Sequence, residues 1–283
     1  MTARPVVPPV MPPVVLPLSR TRLAVFLINM DGADARMAAM EGKLARANLP
    51  FRRIAGIDGR RLRFPIPEFD ERGYRLLHGR RTSPAEIGCY LSHVACARAF
   101  LDGEADLALI LEDDVSFDPD ILEVLDRAAM QRGLWNILRL STVNRGRKFP
   151  VRRLSEGRSL AVALTREKGA GAYVVDRRAA AWIATSLIPM RLAYDIAFDL
   201  EYLAGLRACF VSPVPASQAS DHPTQIQSTR LSVKLSRWRY LTVLPYRAGL
   251  ELSRVACRGW RLLGARRASR PKRLDLGGPG QQA

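Results

Sequence analysis

The apolar run LALIL at 107–111 is followed without a break by three carboxylates, Glu112, Asp113 and Asp114. A continuous apolar stretch of this length predicts a strand buried on both faces, the usual state of strands inside an α/β sheet. The acids then fall at its carboxyl end, where open α/β sheets place their ligands. Alternation along a strand would put Glu112 and Asp114 on one face, roughly 6.6 Å apart at Cα. Two like charges about 6 Å apart repel by roughly 3 kcal/mol at an effective dielectric near 20. The triplet therefore calls for either a raised pKa or a bound hard cation. If a polyphosphate is the co-ligand, oxygen ligands point to manganese or magnesium. The competing reading is a solvated turn closed by Asp118-Pro119.

A second buried strand is predicted at 23–29 (LAVFLIN), followed by a helix over 34–48 that places Met37, Met40 and Leu44 along one stripe. Pro50 stops that helix, and a short strand at 51–54 is closed by Asp58-Gly59. Strand, helix, strand in this order opens a nucleotide-binding α/β fold. Ser83, Pro84 and Glu86 then occupy the N-cap, N1 and N3 positions of a helix running to about residue 101. On it Glu86 and His93 share a face. Helix is expected over 119–130, strand at 135–140, an irregular Arg- and Gly-rich loop over 142–165, strand at 173–175, a helix capped by Asp176, and a last strand at 208–212.

The 283 residues suffice for one large α/β domain. Residues 1–20, with six prolines between Pro5 and Pro17, read as an extended, disordered arm, and residues 21–227 as the catalytic body. The four cysteines show no metal-ligand spacing among themselves and read as a reduced, cytoplasmic set. The net charge of +17 is concentrated: 13 Lys or Arg against Glu251 alone lie between Arg230 and Arg273. Within 228–283, aromatic and aliphatic residues interleave with Arg, and Pro245 is expected to interrupt the segment. That composition describes a tail lying on an anionic membrane surface. A helix packed on the body with a solvated outer face is the alternative. A basic nucleic-acid-binding protein is a rival reading that explains the tail but not the acidic triplet, which would repel phosphates unless metallated, so no nucleic-acid partner is expected.

Several segments together resemble glycosyltransferase family 25, the bacterial lipooligosaccharide and lipopolysaccharide galactosyltransferase-type enzymes. They are VFLINMDGADARMAAM, IAGIDGRRL, SPAEIGCYLSHVACARAF, LALILEDDV, WNILRL and GAGAYVVDRRAAAWI, in matching order. The resemblance implies a GT-A-like α/β fold with a mixed, mostly parallel central sheet flanked by helices. It also implies a nucleotide-sugar donor, typically UDP-galactose, and inverting transfer to a lipid-linked saccharide acceptor. The acidic triplet would stand in for the family's Asp-x-Asp signature, with Glu first. A cation on the leaving diphosphate would then be held by Asp114 with Glu112, assisted by Asp113. Asn29 and Arg36 are candidates for the nucleotide side, and Asp58 for the uridine or ribose hydroxyls. Asp195 is the candidate base for the acceptor hydroxyl, with Glu86 and His93 a second acid/base pair. A catalytically silent family member that only binds saccharide or nucleotide is the competing class. Donor turnover separates the two.

Overall fold

Burial on both faces is what the 107–111 run meets. In this computed structural model, which describes residues 12–144, 146–218 and 236–268, the strands in chain order are β1 (Val14–Val15), β2 (Arg22–Asn29), β3 (Arg52–Ala55), β4 (Leu107–Glu112), β5 (Val115–Phe117), β6 (Ile137–Arg139), β7 (Lys148–Arg153), β8 (Ser159–Ala163), β9 (Ala172–Asp176), β10 (Ala208–Ser212) and β11 (Ala216–Gln218). The helices are α1 (Asp34–Arg46), α2 (Glu71–Gly73), α3 (Pro84–Leu101), α4 (Ile121–Ala129), α5 (Arg177–Thr185), α6 (Tyr194–Ala197) and α7 (Tyr240–Ala268). Leu107, Leu109 and Leu111 pack with Met40 and Leu44 of α1 and with Val124 and Leu125 of α4. Ala108 and Ile110 point the other way, into Ile87, Tyr90 and Val94 of α3 and Ile183 of α5. Full burial of each such large apolar side chain contributes about 1.5–3 kcal/mol.

The sheet is therefore the middle of three layers and is mixed, in the order β1-β2-β4-β9-β6-β10-β8-β7, with β3 also on β2. β3 and β4 flank β2 in parallel register. β9 runs antiparallel between β4 and β6, and β6 pairs in parallel with β10. A separate two-stranded ribbon joins β5 to β11.

Two expected irregular regions carry structure. Within the expected loop over 142–165, β7 and β8 form a hairpin whose edge strand holds Pro150 at a register shift. Proline is tolerated at such edges and bulges, and the exposed arginines of β7 hide its alternation. In the proline-rich arm, Val14 and Val15 pair with Leu23 and Arg22, and Leu16 is buried. The Asp126 carboxylate accepts from the Leu18 and Ser19 amides at 2.7 and 2.8 Å, which pins the strand. Residues 1–11 and the expected boundary near 227 lie outside the described residues.

Residues 240–268 form one helix, and Pro245 falls in its second turn rather than interrupting it. The proline costs that turn one backbone hydrogen bond. The helix packs on the body through arginines that turn inward. Arg258 is 4% exposed and meets Asp199 at 2.9 Å and Glu201 at 2.8 Å, both fully buried. Arg254 adds a contact to Asp199 at 3.0 Å, and Arg139 another at 3.3 Å. Removing one partner of such a network strands buried charge at a cost of about 3–5 kcal/mol. Arg258→Met should lower unfolding stability by about that amount in urea titration. A loss below about 1 kcal/mol would mean that α7 is not anchored through this network.

Candidate active site

Three parallel strands end along one edge, and their last residues build the site. Asn29 closes β2, Glu112 closes β4, and the segment GIDG at 56–59 follows β3. The Gly56 amide donates to Asn29 O at 3.0 Å, and the Ile57 amide to Ser92 Oγ at 2.8 Å, tying this segment to both β2 and α3. Glycines are obligatory at the crossing. A Cβ on Gly59 would stand 1.6 Å from Pro84 O, and one on Gly88 2.2 Å from Ile57 O. Asp58 caps the short turn Gly59–Arg61, its side chain accepting from the Arg60 amide at 3.0 Å and from the Arg60 guanidinium at 2.9 Å.

The strand stops at Glu112, so Asp113 and Asp114 form a turn into β5 and strand alternation does not align Glu112 with Asp114. Each carboxylate finds its own partner instead. Glu112 follows Ala108 and Ile110 onto the α3 face, where its Oε1 lies 3.2 Å from His93 Nε2. Asp113 accepts from Asn29 Nδ2 at 2.8 Å and pairs with Arg36 at 3.0 Å. One amide nitrogen, Gln218 Nε2, donates to Glu112 Oε2 at 2.7 Å and to Asp114 Oδ1 at 3.3 Å. Burial raises the pKa of Asp113 and Asp114. The negative charge of Glu112 adds to both, while Asn29 and Arg36 oppose it at Asp113 and Gln218 at Asp114.

His93 is itself held. Its Nδ1 lies 3.0 Å from the Tyr173 hydroxyl, which meets the Tyr194 hydroxyl at 2.8 Å, and its ring stacks on Tyr194 at 4.1 Å. These groups open on a cleft of about 330 Å³ lined by Arg36, Asp58, Cys89, His93 and all three acids. The cleft continues into a groove lined by Arg36, Arg60 and Arg61. The acidic pocket thus adjoins a groove that carries three arginines and two aspartates, Asp31 and Asp58.

The family model described as Glycosyltransferase family 25 (LPS biosynthesis protein) matches residues 23–198, from β2 to just beyond α6. The chain belongs to glycosyltransferase family 25. It is 32% identical over 102 residues to a glycosyltransferase 25 family member of Drosophila pseudoobscura pseudoobscura, a match covering 34% of this chain and 16% of that protein. It is 27% identical over 128 residues to procollagen galactosyltransferase 1 of Danio rerio, covering 42% of this chain and 21% of the fish protein. The matched stretches thus span about a fifth or less of these relatives' own lengths. Among solved structures the chain is similar to A197 from STIV, at 12% identity and a TM-score of 0.39, covering 73% of this chain and 98% of that one. That likeness is too slight to argue from.

Within this family 25 chain, Asn29, Arg36, Asp58, His93, Glu112, Asp113 and Asp114 come together. Glu86 does not join them. Its side chain neither reaches back to the Ser83 amide nor lines the cleft; it accepts from Arg80 at 2.7 Å and from the Tyr74 hydroxyl. Asp195, on α6, is half-buried and is not among the residues that line the cleft. Burial raises its pKa, against the nearby positive charges of Lys168 and Arg139. Asp195 and Glu86, with Glu112 and Asp114, also bear on the Cys89 thiol, whose pKa burial raises first and these acids raise further. Asp199, four residues beyond Asp195, is buried under α7.

Sequence reasoning missed Cys89 and Gln218. Cys89 and His93 lie one helical turn apart, a ligand spacing hidden by comparing cysteines only with one another. Gln218 reaches the acids from 104 and 106 residues away through the β5–β11 ribbon, and no local pattern signals that.

Proposed function

We propose that this chain transfers a hexose, galactose first among them, from a UDP-sugar to a saccharide hydroxyl on a lipid-linked acceptor of the lipopolysaccharide or lipooligosaccharide type, with inversion at C1. The observation that carries this reading is the acidic cleft opening directly onto the arginine-lined groove. A nucleoside diphosphate has anionic phosphates that suit Arg36, Arg60 and Arg61. Its ribose hydroxyls suit Asp58, which stands beside Arg60.

Glu112 and Asp114 fit a hard divalent ion. The donor Gln218 Nε2 already lies between their oxygens, and burial with mutual repulsion holds Asp114 above the usual carboxylate range. Manganese or magnesium bound there would act as a Lewis acid on the departing diphosphate. The remaining work falls to the chain's own groups. Asn29 and Arg36 fix Asp113 and so the turn that presents Asp114. His93, held by Tyr173 and Tyr194, orients Glu112. The acceptor oxygen bonds to C1 as the bond from C1 to the phosphate oxygen breaks, and Asp195, whose charge reaches Cys89 of the cleft lining, is the proposed base that takes the hydroxyl proton.

Turnover of labelled UDP-galactose with manganese and a saccharide acceptor tests this reading. The wild-type chain should transfer, with an acid limb above the ordinary carboxylate range, because burial raises Asp195 and only its ionised form accepts a proton. Asp195→Asn and Asp114→Asn should each lose about 100-fold or more. Binding of donor without turnover under every metal and acceptor would instead assign a silent binding module.

The proposed membrane contact rests on the outer face of α7. Among the described side chains of α7, Leu241, Leu244, Leu252, Val255, Trp260 and Leu263 are exposed, while Arg254 and Arg258 turn inward. The sequence reading set arginine on the side opposite the apolar residues; Arg254 and Arg258 take that side and pair with buried Asp199 and Glu201. An apolar helical face ending in tryptophan, with Arg237 and Arg239 before it and Arg270, Lys272 and Arg273 after it in sequence, suits the interface of an anionic bilayer. No described helix is long and apolar enough to cross a membrane. A place on the inner face of the cytoplasmic membrane belongs to this proposal. Leu252→Asp with Val255→Asp should weaken sedimentation with phosphatidylserine vesicles by about tenfold or more. Unchanged vesicle binding, with loss of a self-associated species by the same variants, would assign the face to a second copy.

A further inference from the structure

Cys89 and His93 sit one turn apart on α3, and Glu112 approaches them from the end of β4. The cysteine sulfur, an imidazole nitrogen and a carboxylate oxygen all lie within 4.8 Å of one another. A tetrahedral ion with bonds of about 2.0–2.3 Å sets its ligand atoms about 3.5 Å apart, so side-chain rotations of about 1 Å close this triangle without backbone movement. The support around it is already in place. The Tyr173 hydroxyl at His93 Nδ1 and the Tyr194 ring stacked on the imidazole aim Nε2 at Glu112. Gln218 holds the other carboxylate oxygen at 2.7 Å, leaving Oε1 beside His93 Nε2. Outer partners of this kind fix ligand orientation at metal sites.

We propose that Cys89, His93 and Glu112 form a site for a thiophilic divalent ion of the zinc class. It differs in ligand type from the oxygen-only position between Glu112 and Asp114, because a thiolate and an imidazole select borderline-soft ions while carboxylates alone select hard ones. Three protein ligands leave a fourth position open to the cleft, as at zinc sites that bind water or substrate rather than purely structural ones. Binding converts the Cys89 thiol to thiolate and releases its proton to solvent. Glu112 is common to both positions, so a zinc-class ion would draw it away from Asp114; that consequence rests on the preceding reading, whereas binding itself does not.

Cobalt(II) titration of the full-length chain, followed by absorption, reads the site without donor or turnover. The expected result is one cobalt per chain, with a near-ultraviolet thiolate-to-cobalt band and the visible bands of four-coordination, displaced by zinc. Cys89→Ser should abolish the thiolate band, and Glu112→Gln should weaken binding by about 10–100-fold. Both variants are checked by circular dichroism, and Cys257→Ser, at an exposed cysteine, should leave the spectrum unchanged. A pale six-coordinate spectrum without the thiolate band, or a band that survives in folded Cys89→Ser, would overturn the proposal.

Discussion

Three carboxylates crowded at the end of a buried strand repel one another, and most of this site consists of the groups that keep them there. Asn29 and Arg36 hold Asp113, His93 faces Glu112, and Gln218 bridges Glu112 to Asp114. Each comes from a different element, which ties the chemistry to the fold. The parallel trio β3-β2-β4 delivers Asn29 and Glu112 to one edge. The glycine crossing of Gly59 and Gly88 brings Asp58 and Arg60 beside them. Charge that the chain cannot neutralise alone remains, since burial still raises the pKa of Asp113 and Asp114. In the proposed reading, a cation in the cleft would relieve that charge.

Much of this architecture was legible in the sequence where one local rule acted alone. The apolar runs at 23–29 and 107–111 mark strands because both faces are covered, and Ser83-Pro84 marks the start of α3 because cap and first turn agree. The rest was hidden where partners come from afar. Val14 and Val15 become a strand only because β2 offers an edge and Asp126 caps the following turn. Glu86 satisfies the capping pattern on paper, yet Arg80 and Tyr74 outcompete the Ser83 amide for its carboxylate. Gln218 carries no local signal at all.

The C-terminal helix shows the same limit in its charges. Composition alone left a tail on an anionic membrane surface and a helix packed on the body as alternatives. The structure spends Arg254 and Arg258 on Asp199 and Glu201, and what α7 presents outward is leucine, valine and tryptophan. Helix docking and surface apolarity are therefore one arrangement: the buried acids draw the cations inward and leave the apolar side uncovered.

The central claim, that the cleft grips a nucleoside diphosphate through a divalent ion at Glu112 and Asp114, is tested most directly by calorimetric titration of UDP-galactose with and without manganese. The account predicts binding with manganese, at least about tenfold weaker binding in chelator, and none for Asp114→Ala. Equal affinity in chelator, or affinity retained by a folded Asp114→Ala chain, would contradict it.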